Sequence, residues 1–386
     1  MFAAIFQPNF VLLGFEYLFL FHLQQRMKIS FVQRIIAFGL ALFLISCNQE
    51  ENYVPIVESP VSVDLTQVPY PNLSEYKFFD GPLKELKPAV GLLLYKPASE
   101  LFTDYASKSR YVWMPKGTKA SFISANAVLE LPVGSVLIKN FFYNRVQPTN
   151  SKRIIETRIM IRKQSGWIFA EYVWNEEQTE AVLNLAGSTL PITFTDDQNV
   201  TRSITYKIPK ESECLACHNI SQTAVPIGIK PQNLNFNLAY PNSTRLQLTK
   251  WVESGYLAPN YPPVGESTIN YLDATKPIGL RMRSFVDMNC AHCHRDGGYA
   301  TVFALRFEFY KTTLLSNMGV CVSPNHFMPG FSGELVTPGD INRSILYARV
   351  STNDPNYRMP FLGRSIVHQE AVDLVTQWIN SLEGCE

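Results

Sequence analysis

Two pentapeptides hold the residues best suited to chemistry: Cys214-Leu215-Ala216-Cys217-His218 and Cys290-Ala291-His292-Cys293-His294. In each, two thiols stand at i and i+3, a spacing that puts them on one side of a helical turn, and a histidine follows at once. Two sulfurs so placed can bond one flat ligand while the imidazole turns to the metal at its centre. This is the attachment signature of haem c. Its double occurrence implies two haems c, bonded through Cys214, Cys217, Cys290 and Cys293, with His218 and His294 as iron ligands. Structural zinc also uses Cys-x-x-Cys pairs, but its halves usually lie within about 20 residues. Here 72 residues separate Cys217 from Cys290. A thioredoxin-like pair would need a βαβ setting and no histidine after either second cysteine.

The two irons differ in their remaining ligands. No methionine or histidine occurs between His218 and Met282, so a sixth ligand for the first iron comes from upstream, such as Met114 or Met160, or from elsewhere in the chain. The alternative is an open position that takes peroxide, hydroxylamine or a similar small ligand. For the second iron, Met359 stands in a proline-bearing loop just before an amphipathic helix, with His326 and Met328 as competitors. His292 is expected to face away from its own iron, as a surface residue or hydrogen-bond partner, and His368 to be neutral or capping. No catalytic acid, base or nucleophile constellation is legible.

The elements that position these residues follow from pattern. Residues 133–142, 154–162 and 167–174 are rich in β-branched and aromatic side chains, with a turn at Gln164-Ser165-Gly166, and 192–195 pairs with 203–208. Tyr111, Trp113, Trp167, Tyr172 and Trp174 read as core or cross-strand packing. Helices are expected at 243–254, 277–289 and 367–382, the last with Ala371, Leu374, Val375, Trp378 and Leu382 on one face. The fold class is α+β: a β-rich haem domain over residues 78–235, a helix and connector over 236–275, and an all-α domain over 276–386.

The beginning of the chain speaks to location. Lys28 and Arg34 precede an apolar run at 35–45, and Leu44-Ile45-Ser46-Cys47 follows. This resembles a bacterial lipoprotein signal with its lipobox, which implies cleavage before Cys47 and a lipid on that residue. Residues 1–26 then read as an untranslated upstream extension, 27–46 as the signal peptide and 47–77 as a tether. Beyond residue 46 there are 31 Lys and Arg against 32 Asp and Glu, which leaves no nucleic-acid footprint. With one cysteine lipidated and four on haem, Cys321 and Cys385 remain, for a disulfide in an oxidising compartment or as two unpaired buried thiols.

Two resemblances extend this reading. Asn289 to His294, then Pro338-Gly339-Asp340 before Ser344-Ile345-Leu346, then Arg358-Met359-Pro360 and a final helix, resemble class I cytochromes c and the cytochrome domains of large planctomycete exported proteins. The resemblance implies Met359 as distal iron ligand. The phrase from Leu131 to Lys139 resembles β-sheet cytochromes whose haem is crosslinked to a lysine, which makes Lys139 a candidate for that role. The expected protein is an exported, lipid-anchored dihaem cytochrome c of the periplasm or outer membrane that exchanges electrons with partner proteins. The alternatives are an oxidoreductase working at an open first haem, and a haem-based sensor or docking protein.

Overall fold

Alternation along four long strands decides the architecture. The computed structural model describes residues 58–326 and 328–385; the expected leader, Cys47 and the start of the tether lie outside the described residues. One antiparallel sheet holds eight strands. Strands β1 (Leu93–Leu94), β2 (Ser107–Trp113), β3 (Val136–Val146), β4 (Ser151–Lys163), β5 (Gly166–Trp174) and β6 (Ala181–Leu183) lie side by side in chain order. The hairpin of β7 (Ser188–Thr195) and β8 (Thr201–Ile208) joins at the end of β3, where Val146 pairs with Phe194.

Successive side chains on a strand point to opposite faces, so the sheet has two different surfaces. On one, the cross-strand neighbours Tyr111, Ile138, Ile159 and Ala170 pack on Val68, Leu73, Tyr76 and Phe78. Leu73 and Tyr76 are fully buried, and the Tyr76 and Tyr172 hydroxyls meet at 2.9 Å. Residues 58–77 therefore cover the sheet and are not a free tether. Their apolar residues lack a clear period because they ride on extended chain and a short 3-10 turn, Leu73–Tyr76. On the other surface Val112, Leu137, Met160 and Phe169 pack on Leu248 and Trp251, and the candidate site is built on this side.

Helices fill in from residue 211: α1 (Glu211–Cys217), α2 (Pro231–Leu234), α3 (Gln247–Glu253), α4 (Ile278–Asn289), α5 (Ile345–Ser351) and α6 (Gln369–Asn380). Helix α3 starts later than the expected residue 243 because Ser243–Leu246 pairs as a strand with Asn237–Tyr240. The buried face of α6, Ala371, Leu374, Val375 and Trp378, shares a core with Met282, Phe285 and Val286 of α4. The fold is a mixed α+β arrangement with a β-rich sheet.

Polar bonds knit the sheet side to the helices. Ser99 Oγ donates to the Ile269 carbonyl at 2.7 Å, and the Phe102 N–H donates to Asn289 Oδ1 at 2.9 Å. The Asp104 carboxylate accepts from the Ser365 N–H at 2.7 Å and from its hydroxyl at 2.8 Å. Residues from Glu58 onward accordingly form one compact unit. Cys321 and Cys385 are disulfide-bonded, with Cα atoms 5.5 Å apart, and tie the last turn of chain to an irregular segment.

Candidate functional site

Cys214, Cys217, His218, Cys290, Cys293 and His294 all line one cavity of about 420 Å³. Its walls are the Leu137, Met160 and Phe169 side of the sheet, Phe285 and Met288 of α4, and Ile345 and Val350 of α5. Helix α1 begins directly after β8; its first turn is closed by the Lys210 N–H donating to Glu213 Oε2 at 3.1 Å. Cys214 packs with the apolar residues beneath the sheet, its Sγ 3.8 Å from Glu171 Oε1. His218 follows the helix end, with its N–H donating to the Cys214 carbonyl at 2.9 Å.

The His218 ring is held for a purpose that its surroundings define. Its Nδ1 lies 3.0 Å from the Val225 carbonyl, so this nitrogen carries the proton and Nε2 is left bare. Burial holds the His218 pKa down, to about 4, and does the same for His294. Both rings are neutral at pH 7 and offer a lone pair. Phe169 stands edge-on to His218 at 5.4 Å and Phe307 to His294 at the same distance. His294 Nδ1 is buried with no hydrogen-bond partner among the described residues.

The second motif is a turn added to α4. The Cys290 carbonyl accepts from the Cys293 N–H at 3.1 Å and from the His294 N–H at 3.0 Å. The two motifs then meet. Cys293 Sγ lies 3.3 Å from the Ala216 carbonyl, and ligand atoms of Cys217, His292 and Cys293 all lie within 4.8 Å of one another. The Cys293 thiol close by, with His292 alongside, pulls the Cys217 pKa down, and the nearness of Cys217 pushes Cys293 up. Beyond the motifs, an Arg295 guanidinium N–H donates to the Asn219 carbonyl at 2.9 Å and the Ser221 N–H to the Gly297 carbonyl at 2.7 Å. Gly297 has φ +70°, and a Cβ there would meet Ser221 Oγ at 2.5 Å. His292 is buried in this junction beside Cys217, which excludes the surface alternative and leaves the expected role of hydrogen-bond partner. Its position between the cysteines of its own motif presses it against the other one.

Met359 lines the cavity, on a loop fixed through its backbone. Its N–H donates to the Arg349 carbonyl at 2.8 Å, and its carbonyl accepts from Arg364 Nε at 3.2 Å. The buried Arg364 also donates to the carbonyls of Thr352 at 2.8 Å and Ile366 at 3.2 Å. His326 and Met160 line the same cavity. Met114 does not; it is buried where its N–H donates to the Tyr256 hydroxyl at 3.1 Å.

Charge enters the cavity from the sheet. Arg110, Lys139, Arg158 and Glu171 are direct cross-strand neighbours on β2, β3, β4 and β5, and all four line it. Lys139, the crosslinking candidate, thus sits in the middle of a charged row. Sequence reasoning missed this row, the Val225 carbonyl and Arg364. Each of the four strands carries charge at the inward parity, but only the pairing register brings these four residues abreast. No known protein family, curated protein or solved structure matches the chain.

Proposed function

We propose that this chain is a dihaem c-type cytochrome that passes electrons in the bacterial cell envelope, anchored by lipid at Cys47 and serving redox partner proteins. One observation carries the reading: two Cys-x-x-Cys-His motifs distant in sequence share a cavity and abut through their second cysteines. The donor set fits the group. Four free thiols, two half-buried neutral imidazoles and a thioether face apolar walls, and His218 is pre-oriented by a carbonyl, as iron-bound histidines are. Haem c supplies a reversible one-electron iron couple when bound.

The chain's own residues divide the work. Cys214 and Cys217 would hold one group and Cys290 and Cys293 the other, with His218 and His294 binding iron. Val225 aims His218, and the Arg349 and Arg364 bonds fix the Met359 backbone, from which its thioether would serve as a ligand to the second iron. Residues 276–385 fit a cytochrome c-like domain in three respects. Helix α4 runs into Cys290, α6 packs on α4, and Met359 lies in the loop before α6. Phe285, Val350 and Ile345 give the cavity apolar walls. Met160 lines the cavity and could complete the first iron; an iron that no side chain completes would favour the oxidoreductase reading.

The test is the purified full chain, matured in a bacterium that attaches haem c. The reading expects two covalent haems per chain and low-spin spectra for both irons in the reduced and oxidised forms. Carbon monoxide binding to one reduced iron would favour the oxidoreductase. The Cys217, His292 and Cys293 cluster favours one other occupant, a zinc ion with three protein ligands. Stoichiometric zinc without covalent haem would replace the cytochrome by that site.

A further inference from the structure

The sheet wall of the cavity carries more positive charge than the protein neutralises. Arg110 pairs with Glu100 at 3.2 Å, and Arg158 with Glu156 at 2.6 Å, the latter carboxylate also taking the Tyr206 hydroxyl at 2.6 Å. Lys139, between the two arginines, has no carboxylate within salt-bridge range and no hydrogen-bond partner among the described residues. Its ammonium lies 4.7 Å above the Phe141 ring. On the next residue pair along the same face, Lys108 stands across from Phe141 and donates only to the Ala106 carbonyl at 2.7 Å. Glu171 closes the row, 3.7 Å from Arg158, and keeps one buried carboxylate oxygen unpartnered.

A cation in a water-poor cavity costs free energy unless an anion pairs with it. Burial first, and then the charges of Arg110, Lys108 and Arg158, hold Lys139 well below the ordinary lysine range. The fork geometry of arginine suits planar carboxylates and oxyanions, and two guanidiniums with a lysine amine between them, which a bound anion would draw to its charged form, can contact one such group together.

We propose that Arg110, Lys139 and Arg158 form a binding site for a carboxylate or small oxyanion beside His218, with Lys139 as the residue left free to receive it. The inference rests on the two-haem reading for its setting. The chemistry has two sources: the propionates of the first haem, and a small anionic substrate such as nitrite that reaches the iron from the sheet side.

The experiment uses the haem-loaded full chain, nitrite as probe, and the variants Lys139→Gln and Lys139→Arg. If the row takes a substrate, nitrite shifts the Soret band saturably, Lys139→Gln weakens that binding by about tenfold or more, and Lys139→Arg stays within about threefold. If the propionates fill the row, nitrite does not bind, and Lys139→Gln lowers the reduction potential of the first haem while Lys139→Arg leaves it in place. Absence of nitrite binding together with an unchanged potential in Lys139→Gln overturns the site. Should the purified chain carry no covalent haem, the two-haem reading falls separately. Calorimetric binding of nitrite to that chain, lost in Lys139→Gln, would sustain the row alone, and no binding would end it.

Discussion

At the scale of single residues, the site depends on a few side chains that hold others still. Replacing Met359 by alanine removes the proposed thioether while leaving its backbone bonds; on the two-haem reading, the second iron should turn high-spin and bind carbon monoxide while the first is unaffected. A retained low-spin spectrum would point to His326, which lines the same cavity. Arg364 acts one step back. Arg364→Met leaves the carbonyls of Thr352, Met359 and Ile366 without their buried donor and should cost about 2–4 kcal/mol in denaturant unfolding. His368 is the residue that ties stability to acid. It stacks on Phe102 at 3.9 Å, its Nε2 is 3.0 Å from the Tyr271 hydroxyl, and burial lowers its pKa from 6.5 to about 3. The Glu370 carboxylate 3.5 Å away does not reverse this, because burial dominates and Lys108 and Arg364 add positive charge. Only the unfolded chain then takes up the proton, so this contribution is whole above pH 6.5 and falls as the pH drops toward 3. By pH 4 the loss should reach roughly 3 kcal/mol relative to His368→Gln, measured as the difference between their pH-stability curves.

At the scale of elements, local pattern and long-range contact separate what the sequence could tell. The strands over 136–146, 151–163 and 166–174 and the helices over 278–289 and 369–380 were legible because their apolar periods repeat over several turns or pleats. Helix α3 was misplaced at its start, since Ser243 looks like a cap but is committed to a hairpin with Tyr240. The cavity wall was legible only as strands. Nothing local announces that Arg110, Lys139 and Arg158 stand abreast, because register is set by pairing across residues tens of positions apart. The contact between the motifs was hidden for the same reason, and it can be probed through Gly297. Gly297→Ala should cost about 1–3 kcal/mol, from the left-handed backbone and the clash with Ser221 Oγ. Ser221 itself has φ +48°, so adding Ser221→Gly should recover part of that loss. Additive losses in the double variant would mean the two loops do not touch.

At the scale of the whole molecule, a single compact unit surrounds the cavity, and its far end is closed by the Cys321–Cys385 bond across 64 residues of sequence. Loop-closure entropy of that length corresponds to about 4 kcal/mol, so Cys385→Ser should lower the denaturant midpoint by a comparable free energy and leave both haem spectra intact. A change in the spectrum of the second haem would show that the bond also positions His326 or Met359. The abutting cysteines bear on how such a protein is made. In an oxidising compartment, Cys217 and Cys293 are close enough that a chain folding first would be prone to join them, and both second sulfurs would then be spent. On the two-haem reading, each motif would therefore have to receive its haem before the folding that brings Cys217 and Cys293 together.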